Sequence, residues 1–476
     1  MAKYRAAVPL LAVAAGFAVL QLCYAVVHMD LGWDETVYLS QLDPRTPAAY
    51  FSAPRSRGIS LLAAPLIAVT SSVLTLRIAL ALLSAAALYA AFKVWEPLLT
   101  RGRTALAALL FATLWITVLS GPEVMPNLWL ALAAVAATGW FLRARDGAPQ
   151  RRKALIWLTA TLAAATLLRA PDGVWLAFPL LAAGALARPW RRPAVAGAVL
   201  GGLALGGLQW AIEAYIRFGG ILQRLSDSSD TEGGMGQKPG AGVGAAFRSL
   251  DGPQLCRPCH IAAPPLTHTL WWLLLPALAL AACALAVRRP QPAVTLLPVA
   301  GALSLAVPYL LLLDYAAPRF LLPVYALLAL PVADLAVRTV RALPAPAVRA
   351  PATALLCVVL AGHLAVQLGE LRYNTADARD TAVRYRRAAQ ELGRLGVRAP
   401  CLVTGPRAQP IGYEAGCASA QTMGNNRSTT TAGLLRAAAA EPLAVLFDPA
   451  DGYLPPYARH WHRHPLPGTN WSVYLR

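Results

Sequence analysis

Two adjacent carboxylates stand out among the residues whose types and spacing could do chemistry. Asp34 and Glu35 lie within the run Trp33–Tyr38, directly after the first long apolar segment of the chain. Ionisable groups close to the hydrocarbon layer are unfavourable there, and they tend to mark sites of chemistry or transport. A second acidic position, Glu123, falls at another predicted helix end on the same side. We therefore expect a site assembled from loops at one membrane face.

The composition indicates which solvent surrounds most of the chain. Of its 476 residues, 57% are hydrophobic and only 14% are charged, and the mean hydropathy is +0.51. A soluble globular protein carries about 25% charged residues, so this chain is expected to be buried in lipid. The first apolar run, from Ala6 to Val27, has no convincing cleavage site after it. We expect it to be a retained helix rather than a signal peptide.

Long apolar segments predict a polytopic α-helical membrane protein with about 11 transmembrane helices. The stretch from Gly58 to Thr70 is too short to count and is expected to be a re-entrant or interfacial helix. The predicted spans are centred near residues 17, 83, 113, 134, 161, 181, 203, 278, 303, 329 and 360.

The distribution of basic residues predicts how the spans are oriented. Lys and Arg cluster in alternate loops, which the positive-inside rule places in the cytoplasm together with the N-terminus. These residues include Lys3, Arg5, Arg101, Arg103, the run Arg143–Lys153, the run Arg188–Arg192, Arg288, Arg289 and the run Arg338–Arg349. They account for part of the net charge of +19, so a nucleic-acid partner is not expected, whereas anionic membrane lipids are.

The remaining loops are predicted to face outward, and they end in a distinct C-terminal region. Residues 370–476 are long enough for a small domain. Helix-like sequence (Asp380–Leu395) alternates there with strand-like sequence (Cys401–Val403 and Leu443–Phe447). We expect a small α/β extracytoplasmic domain, with the membrane domain occupying residues 1–369.

The cysteines agree with this sidedness. Cys401 and Cys417 lie in the predicted external domain, where an oxidising compartment permits a disulfide. Cys256 and Cys259 belong to the run Cys256–His260 in a long outer loop, whose spelling also matches a c-type haem attachment site. Nothing else in the chain indicates electron transfer, so a short loop disulfide is the preferred interpretation.

Four short motifs, taken in order, resemble those of the GT-C membrane glycosyltransferases, a superfamily that includes protein O-mannosyltransferases and lipid A aminoarabinose transferases. Asp34–Tyr38 is similar to the Asp-Glu-x-x-Tyr signature that follows the first span. Arg77–Leu80 resembles the opening of the second long span, and Glu123–Asn127 sits where members carry a second acidic residue. Arg319–Tyr325 is similar to a late Arg-Phe/Tyr-Leu-x-Pro motif. Asn127 stands where several relatives have Asp.

The resemblance implies transfer of a sugar from a polyprenyl-phosphate donor to an acceptor at the extracytoplasmic face. An acceptor hydroxyl needs a carboxylate to take its proton, and Asp34 would be this base. Glu35 would orient the acceptor or a metal, or cap a helix. Direct transfer would invert the anomeric centre. The acceptor would be an envelope glycan, a lipid or a protein, and the Gly-rich segment Ser226–Gly244 is expected to be a mobile loop that selects it.

Positive charge should face the lipid phosphate that leaves. Arginine makes bidentate contacts to phosphate that strengthen where water is excluded. Arg319 is the first candidate, followed by Arg57 and Arg169, and His268 could donate a hydrogen bond near the same boundary.

A divalent cation is the one cofactor that the acidic residues suggest. Glu35 and Glu123 could ligate magnesium or manganese, which prefer oxygen ligands. Asn127 breaks the stronger two-carboxylate pattern, so metal dependence stays open at this point.

Other interpretations of the same residues stay open. Asp34 and Glu35 could simply begin a helix, since acidic residues favour the first turn, and Arg319 could be a lipid-headgroup anchor. A membrane transporter or flippase of lipid-linked sugars is the alternative function. Transporters usually show paired halves with broken helices in corresponding positions, and neither feature is evident here.

Overall fold

The computed structural model describes residues 8–424 and 426–476. Lys3 and Arg5, which support the predicted cytoplasmic N-terminus, lie outside the described residues. Most of the described chain is helical. The N-terminal half contains α1 (Val8–Leu20, continuing as π-helix over Gln21–Val26), α2 (Trp33–Ser40), α3 (Gly58–Val69), α4 (Val73–Lys93), α5 (Arg101–Ala112), α6 (Trp115–Ser120), α7 (Pro126–Arg143), α8 (Ala148–Leu168), α9 (Ala170–Leu186) and α10 (Pro193–Phe218).

The second half of the chain continues the helical array and ends in a sheet. Its helices are α11 (Ile221–Thr231), α12 (Ala241–Arg248), α13 (Leu266–Ala286), α14 (Ala293–Leu311), α15 (Leu322–Ala342), α16 (Pro346–Arg394), α17 (Ala408–Ala415) and α18 (Thr431–Ala437). The strands are β1 (Leu402–Thr404), β2 (Ala418–Ser419), β3 (Leu443–Phe447), β4 (His462–Pro465) and β5 (Ser472–Leu475). Short 3₁₀ turns cover Arg188–Trp190, Pro318–Leu321 and Pro456–Ala458.

Seven helices in the described part of the chain are long and apolar enough to cross a membrane by length and composition: Pro9–Val26, Val73–Lys93, Pro193–Phe218, Leu266–Ala286, Ala293–Leu311, Pro318–Ala342 and Pro346–Arg394. Helical structure also occurs at or beside each of the other predicted centres, and α3 forms the expected short helix. The count of eleven spans stays a prediction.

Small residues let the helices pack closely. The α8, α10 pair and the α7, α8 pair make the most extensive helix contacts. A Cβ atom at Gly206 on α10 would lie 2.1 Å from the carbonyl oxygen of Ala163 on α8. Only glycine fits at such an approach, and close backbone contact supplies packing energy that lipid does not displace.

The predicted long outer loop contains more regular structure than its glycine content indicated. It holds the two short helices α11 and α12, so much of the Ser226–Gly244 segment is helical. Helix α16 runs unbroken through residue 370, where the sequence placed the start of the C-terminal domain. Gly369 does not interrupt the helix there, and the boundary at residue 370 stays a prediction.

The C-terminal region contains a five-stranded mixed sheet in the order β2-β1-β3-β5-β4. Strand β1 pairs in parallel with β2 and β3, whereas β5 pairs antiparallel with β3 and β4. Both predicted strand segments are confirmed by β1 and β3. Both predicted disulfides, Cys256–Cys259 and Cys401–Cys417, are formed.

The C-terminal region rests on the helix that carries the acidic pair. Helix α17 packs against α2, and the Tyr413 hydroxyl donates a hydrogen bond to the Asp43 carboxylate at 2.9 Å. Arg386 of α16 forms an ion pair with Asp30, four residues before Asp34. These contacts fix the orientation of α2 from the C-terminal side.

Candidate active site

Asp34 lies in the first turn of α2 between two arginines. Its Oδ1 accepts a hydrogen bond from Arg55 Nη2 at 2.7 Å, and its Oδ2 accepts one from Arg319 Nη2 at 2.8 Å. The Asp34 side chain keeps 29% of its surface exposed, so a ligand can reach it. Burial acts to raise the pKa of Asp34, but the charges of Arg55 and Arg319 outweigh it and hold that pKa below its usual value. The carboxylate is therefore ionised at neutral pH.

The segment between α12 and α13 positions Arg319. This residue lies in the 3₁₀ turn that leads into α15, and its Nη1 donates to the carbonyl of Gln254 at 2.9 Å. Two residues further on, Cys256 pairs with Ala316 through two backbone hydrogen bonds of 2.9 and 3.3 Å. The Cys256–Cys259 disulfide thus stiffens the segment against which Arg319 is held.

Arg55 is positioned by the first outer loop, the segment between α2 and α3 that the sequence predicts to face outward. Its guanidinium lies over the Tyr38 ring, with 5.1 Å between the guanidinium carbon and the ring centroid, and its Nε donates to Ser52 Oγ at 3.2 Å. The motif tyrosine therefore supports the arginine that binds the motif aspartate. Sequence reasoning missed Arg55 and chose its neighbour Arg57, because both arginines follow Pro54 and nothing local distinguishes them.

Glu35 has a different environment from Asp34. It is buried, and both of its oxygens bind the Arg77 guanidinium, at 2.5 and 2.6 Å. Backbone N–H groups of Gly32 and Val124 donate to the same carboxylate at 2.8 and 2.7 Å. Glu35 thus ties the start of α2 to α4 and to the turn before α7, and its bond to Gly32 caps α2.

Arg77 completes this junction and is the second residue whose role the sequence did not identify. It is fully buried and also donates to the carbonyls of Pro122 and Asp30, at 2.7 and 2.8 Å. Its position at the start of a long span was noted in the sequence as a motif. Only the fold shows that its partner is the second carboxylate of the acidic pair.

Glu123 lies beside this junction, in the turn between α6 and α7. Burial and the nearby charge of Glu35 raise the pKa of Glu123 to about 8, although Arg319 and Arg77 offset part of the effect. The structure therefore brings Glu123 into the same cluster as Asp34 and Glu35, as expected. Among the described residues, its carboxyl group has no side-chain hydrogen-bond partner, and the raised pKa keeps it protonated at neutral pH.

Arg57 is held away from Asp34 by another acidic residue. Its Nε and Nη2 both donate to Glu213 Oε1, at 2.9 and 2.7 Å. Arg224, which is fully buried, donates to the other oxygen of Glu213 at 3.2 Å. Arg224 also donates to the carbonyls of Ala53 and Arg55, at 3.1 and 2.9 Å. This set of contacts clamps the loop that carries Arg55.

Arg169 lies near Asp34 without contacting it. Its charge contributes to lowering the pKa of Asp34, and its Nε pairs with Asp172 at 2.8 Å. The guanidinium carbon lies 5.7 Å from the ring centroids of both Tyr309 and Phe320. Arg169 therefore acts on Asp34 through its positive charge and not through a hydrogen bond.

His268 belongs to a separate polar cluster. Its Nδ1 lies 3.2 Å from Asp251 and 3.3 Å from Glu370 on α16. The structure thus does not place His268 among the contacts of Asp34, Arg55 and Arg319.

An apolar groove lies among helices of the membrane region. Its lining includes Gly58, the residue after Arg57, and Leu168, the residue before Arg169. The groove has a volume of about 650 Å³ and runs between α3, α4, α7 and α8 past Trp129 toward Trp140 and Trp157. Its lining is almost entirely apolar, so it suits a hydrocarbon chain rather than a sugar.

Neither protein-family models nor curated proteins match this sequence, whereas solved structures do. ArnT from Cupriavidus metallidurans bound to undecaprenyl phosphate superimposes with a TM-score of 0.67 at 14% identity, covering 97% of this chain and 97% of that chain. The Archaeoglobus fulgidus oligosaccharyltransferase tethered with an acceptor peptide gives a TM-score of 0.55 at 12% identity, covering 92% and 69%. AglB from the same organism, in complex with an inhibitory peptide and a dolichol-phosphate, gives 0.52 at 12% identity, covering 86% and 64%.

These neighbours are GT-C superfamily members, so the resemblance that the motifs predicted is confirmed at the level of fold. Together with the apolar helices, the shared architecture identifies a multi-pass membrane protein. Asp34 and its two arginines are thus set in a fold that this chain shares with these solved structures.

Proposed function

We propose that this protein transfers a sugar from a polyprenyl-phosphate donor to a cell-envelope acceptor at the extracytoplasmic face. The observation that carries the proposal is the ionised Asp34 carboxylate held between Arg55 and Arg319 at a partly open helix start. A base and two phosphate-binding cations are the minimum that such a transfer needs. The fold, which ArnT shares, supports the same conclusion.

The chemistry follows from this pairing of opposite charges. Asp34 takes the proton of the acceptor hydroxyl as its oxygen bonds to the anomeric carbon. The bond from that carbon to the phosphate oxygen breaks, and its electron pair stays on the lipid phosphate. Arg55 and Arg319 stabilise the charge that develops on this leaving group. Direct displacement from the face opposite the phosphate inverts the anomeric centre, with no covalent sugar–enzyme intermediate.

The pairing of Asp34 with Arg55 and Arg319 also suggests the order in which donor and acceptor react. One carboxylate and two guanidinium groups leave a net positive charge, which attracts the donor phosphate. A phosphate that engages Arg55 and Arg319 draws them away from Asp34, and the freed carboxylate becomes a stronger base. Donor binding therefore precedes and activates proton removal from the acceptor.

The apolar groove provides a place for the donor's chain. It is lined by the chain neighbours of Arg57 and Arg169 and continues along α7 in the membrane region. A phosphate at Arg55 and Arg319 with its prenyl chain in this groove would satisfy both parts of one molecule. Arg169 would add long-range positive charge, Arg57 would act through Glu213, and His268 is assigned no donor contact.

The metal suggested by the acidic residues does not fit this site well. One Archaeoglobus fulgidus neighbour is a complex with Zn and sulfate. In the present chain, however, both Glu35 oxygens are committed to Arg77 and to backbone N–H groups. Among the described residues no group of three or more His, Cys, Asp or Glu side chains is arranged to hold a metal ion. Glu35 therefore has a positioning role rather than that of a ligand to magnesium or manganese.

The overall organisation is part of the same proposal. Residues 1–369 would form the membrane-embedded catalytic domain with a cytoplasmic N-terminus in the plasma membrane. Residues 370–476 would form the extracytoplasmic domain, which contacts α2 through α17 and thus stands where an acceptor glycan, lipid or protein would approach. The transferred sugar would be a hexose or a pentose.

The decisive experiment compares purified wild type with Asp34→Asn on a panel of polyprenyl-phosphate monosaccharides, measuring release of polyprenyl phosphate. We expect release by the wild type and a loss of at least about 10²-fold in the variant, the range for a positioned base. Asp448→Asn is the matched control, since Asp448 is also a buried carboxylate paired with an arginine, Arg407, at 2.6 Å, but does not contact the cluster among the described residues. Turnover that survives Asp34→Asn would remove Asp34 as the base. Translocation of a lipid-linked sugar without release would favour the flippase.

A further inference from the structure

A second organised ionic cluster surrounds Asp334 on α15. Its Oδ1 binds Arg103 Nη1 at 2.8 Å, and its Oδ2 binds Arg289 Nη1 at 2.9 Å and Arg338 Nε at 2.7 Å. The Asp334 side chain is only 4% exposed. Three guanidinium groups, from the start of α5, the turn after α13 and the last part of α15, thus converge on one buried carboxylate.

This cluster lies at the end of the helices opposite to the candidate active site. Arg319 precedes the start of α15, whereas Asp334 follows that start by roughly 18 Å along the helix axis, at 1.5 Å per residue. The arginines belong to loops that the sequence places on the cytoplasmic side. The cluster is therefore independent of the chemistry at Asp34.

The cluster carries more positive charge than its carboxylate neutralises. Asp334 and its three arginines sum to a net charge of +2, and Arg341 lies close enough to add to the repulsion felt by Arg103. Arg103 Nε is buried without a hydrogen-bond partner among the described residues. Arg338 and Arg289 remain partly exposed, at 40% and 24%. Guanidinium N–H groups thus remain available at a surface where the membrane ends.

We propose that the Asp334 cluster binds the phosphate group of an anionic phospholipid of the adjoining leaflet. Arginine forks match phosphate oxygens bidentately, and basic pockets between spans on this side of a membrane bind acidic headgroups. Asp334 holds the guanidinium groups of separate helices in one place, and the phosphate supplies the negative charge that the cluster lacks. Ordinary basic residues of cytoplasmic loops have no such buried organiser.

A purely structural role for the cluster makes a different prediction from lipid binding. An internal staple would tie α5, α13 and α15 together equally well in any bilayer. A headgroup site would make the stability of the protein depend on anionic lipid. A site for free phosphate would be stabilised by inorganic phosphate in a bilayer of neutral lipid, whereas a site for a lipid headgroup would need the anionic lipid itself.

The test measures binding of phosphatidylglycerol and of phosphatidylcholine to the full chain by native mass spectrometry, with thermal unfolding in matched nanodiscs. We expect the wild type to bind phosphatidylglycerol more tightly than phosphatidylcholine. In the Arg289→Gln/Arg338→Gln double variant, the affinity for phosphatidylglycerol should fall at least about ten-fold, because each arginine contributes one charge contact to the headgroup. Arg151→Gln/Arg152→Gln removes the same charge from the same predicted face and should change binding less than two-fold, roughly the effect of screened surface charge. Equal loss in both double variants, or no preference between the lipids, overturns the proposal.

Asp334→Asn keeps the test informative if the double variant folds poorly. Removal of the carboxylate leaves three guanidinium groups uncompensated, so the Tm should fall in phosphatidylcholine and recover in phosphatidylglycerol by more than the wild type gains. An equal drop in both lipids would indicate a staple and overturn the proposal. Recovery with inorganic phosphate in phosphatidylcholine nanodiscs, equal to that with phosphatidylglycerol, would overturn the assignment to a lipid.

Discussion

At the scale of single residues, two neighbouring carboxylates have opposite roles because their exposure differs. Asp34 keeps an accessible surface and shares its charge with Arg55 and Arg319, which a ligand phosphate can displace. Glu35 is buried, and its four hydrogen bonds occupy both oxygens. A group that must take up a proton needs the first environment, whereas a group that fixes a helix needs the second.

Arg55 and Arg57 offer a direct comparison of two similar arginines. Arg55→Gln should lower kcat/KM by about 10²-fold, the scale for one preorganised phosphate contact. Arg57→Gln should lower it by only about three-fold, because its guanidinium already serves Glu213 and acts on the donor at long range. Steady-state kinetics provide the measurement, with the donor that the panel of polyprenyl-phosphate monosaccharides identifies. Equal effects of the two substitutions would contradict the assignment of Arg55.

The arginine pair should also be visible in the pH dependence. Since kcat/KM reports the free enzyme, its acidic limb should lie below the ordinary Asp pKa of 3.8, as Asp34 loses its base form only when pH falls through its lowered pKa. Arg319→Gln should move this limb to higher pH, because burial then opposes one fewer positive charge. In the wild type, the acidic limb of kcat should lie at higher pH than that of kcat/KM. The bound donor phosphate occupies Arg55 and Arg319, so these arginines no longer lower the pKa of Asp34 as strongly. Coincident limbs would contradict the proposed unmasking of Asp34.

Glu123 makes stability depend on pH in the opposite direction from a paired carboxylate. With its pKa raised to about 8, it stays protonated in the fold while the unfolded group ionises above about 4.5. The folded state then binds more protons, so its stability should fall as pH rises from about 5 to 8. Glu123→Gln should flatten this slope in Tm measured across that range. A slope that the substitution leaves unchanged would contradict the buried, protonated carboxyl.

At the scale of elements, the active-site loop is held by a clamp that contains no reacting group. Arg224 on α11 binds the carbonyls on both sides of Pro54 and also the carbonyl of Trp210 and the carboxylate of Glu213. A buried guanidinium with four oxygen partners fixes the path of the backbone it binds. The direction of Arg55 toward Asp34 therefore depends on contacts between the first outer loop and α10 and α11.

Arg224→Gln should therefore impair catalysis through geometry. We expect a drop of about ten-fold or more in kcat with a smaller change in the acidic limb of the pH profile than Arg319→Gln produces, because the charges beside Asp34 stay present. Arg217→Gln, which removes a more exposed partner of the same Glu213, is the control and should change kcat less than about three-fold. A loss of activity explained entirely by lowered Tm would contradict a positioning role.

At the scale of the whole molecule, the chain places its two disulfides and its candidate site on what the sequence predicts to be one side of the membrane. The Cys256–Cys259 loop supports Arg319, and the Cys401–Cys417 pair lies in the region that contacts α2. Oxidising conditions on that side would allow both bonds to persist. We therefore expect the site to be most stable in an oxidising compartment, where both disulfides stay intact.

Sidedness can be measured with these cysteines. Intact cells treated with an impermeant reductant and then an impermeant maleimide should label the Cys256–Cys259 and Cys401–Cys417 pairs, because the outer face is accessible without lysis. A variant with all four replaced by Ser is the control and should lose the labelling that depends on the reductant. Labelling of the wild type that also requires permeabilisation would reverse the predicted topology.

Local sequence determined the class of molecule and much of its chemistry. Apolar runs fix membrane-spanning helices because lipid offers no hydrogen bonds to exposed backbone. The Asp34 motif and Arg319 could be identified because their residue types limit what they can do. The sequence showed that both cysteine pairs could form disulfides in an oxidising compartment, and the structure shows that both are formed.

Only the tertiary structure decided which of these groups meet. Asp34 and Arg319 are separated by 285 residues, so their contact depends on how the helices between them pack. Hydropathy and spacing cannot distinguish Arg55 from Arg57, because each occupies an irregular loop without a period that sets its direction. The pairing of Glu35 with Arg77, the clamp at Arg224 and the convergence on Asp334 likewise need helices from distant parts of the chain. The sequence itself shows which residues are charged, whereas the packing of distant helices decides which charged residues meet.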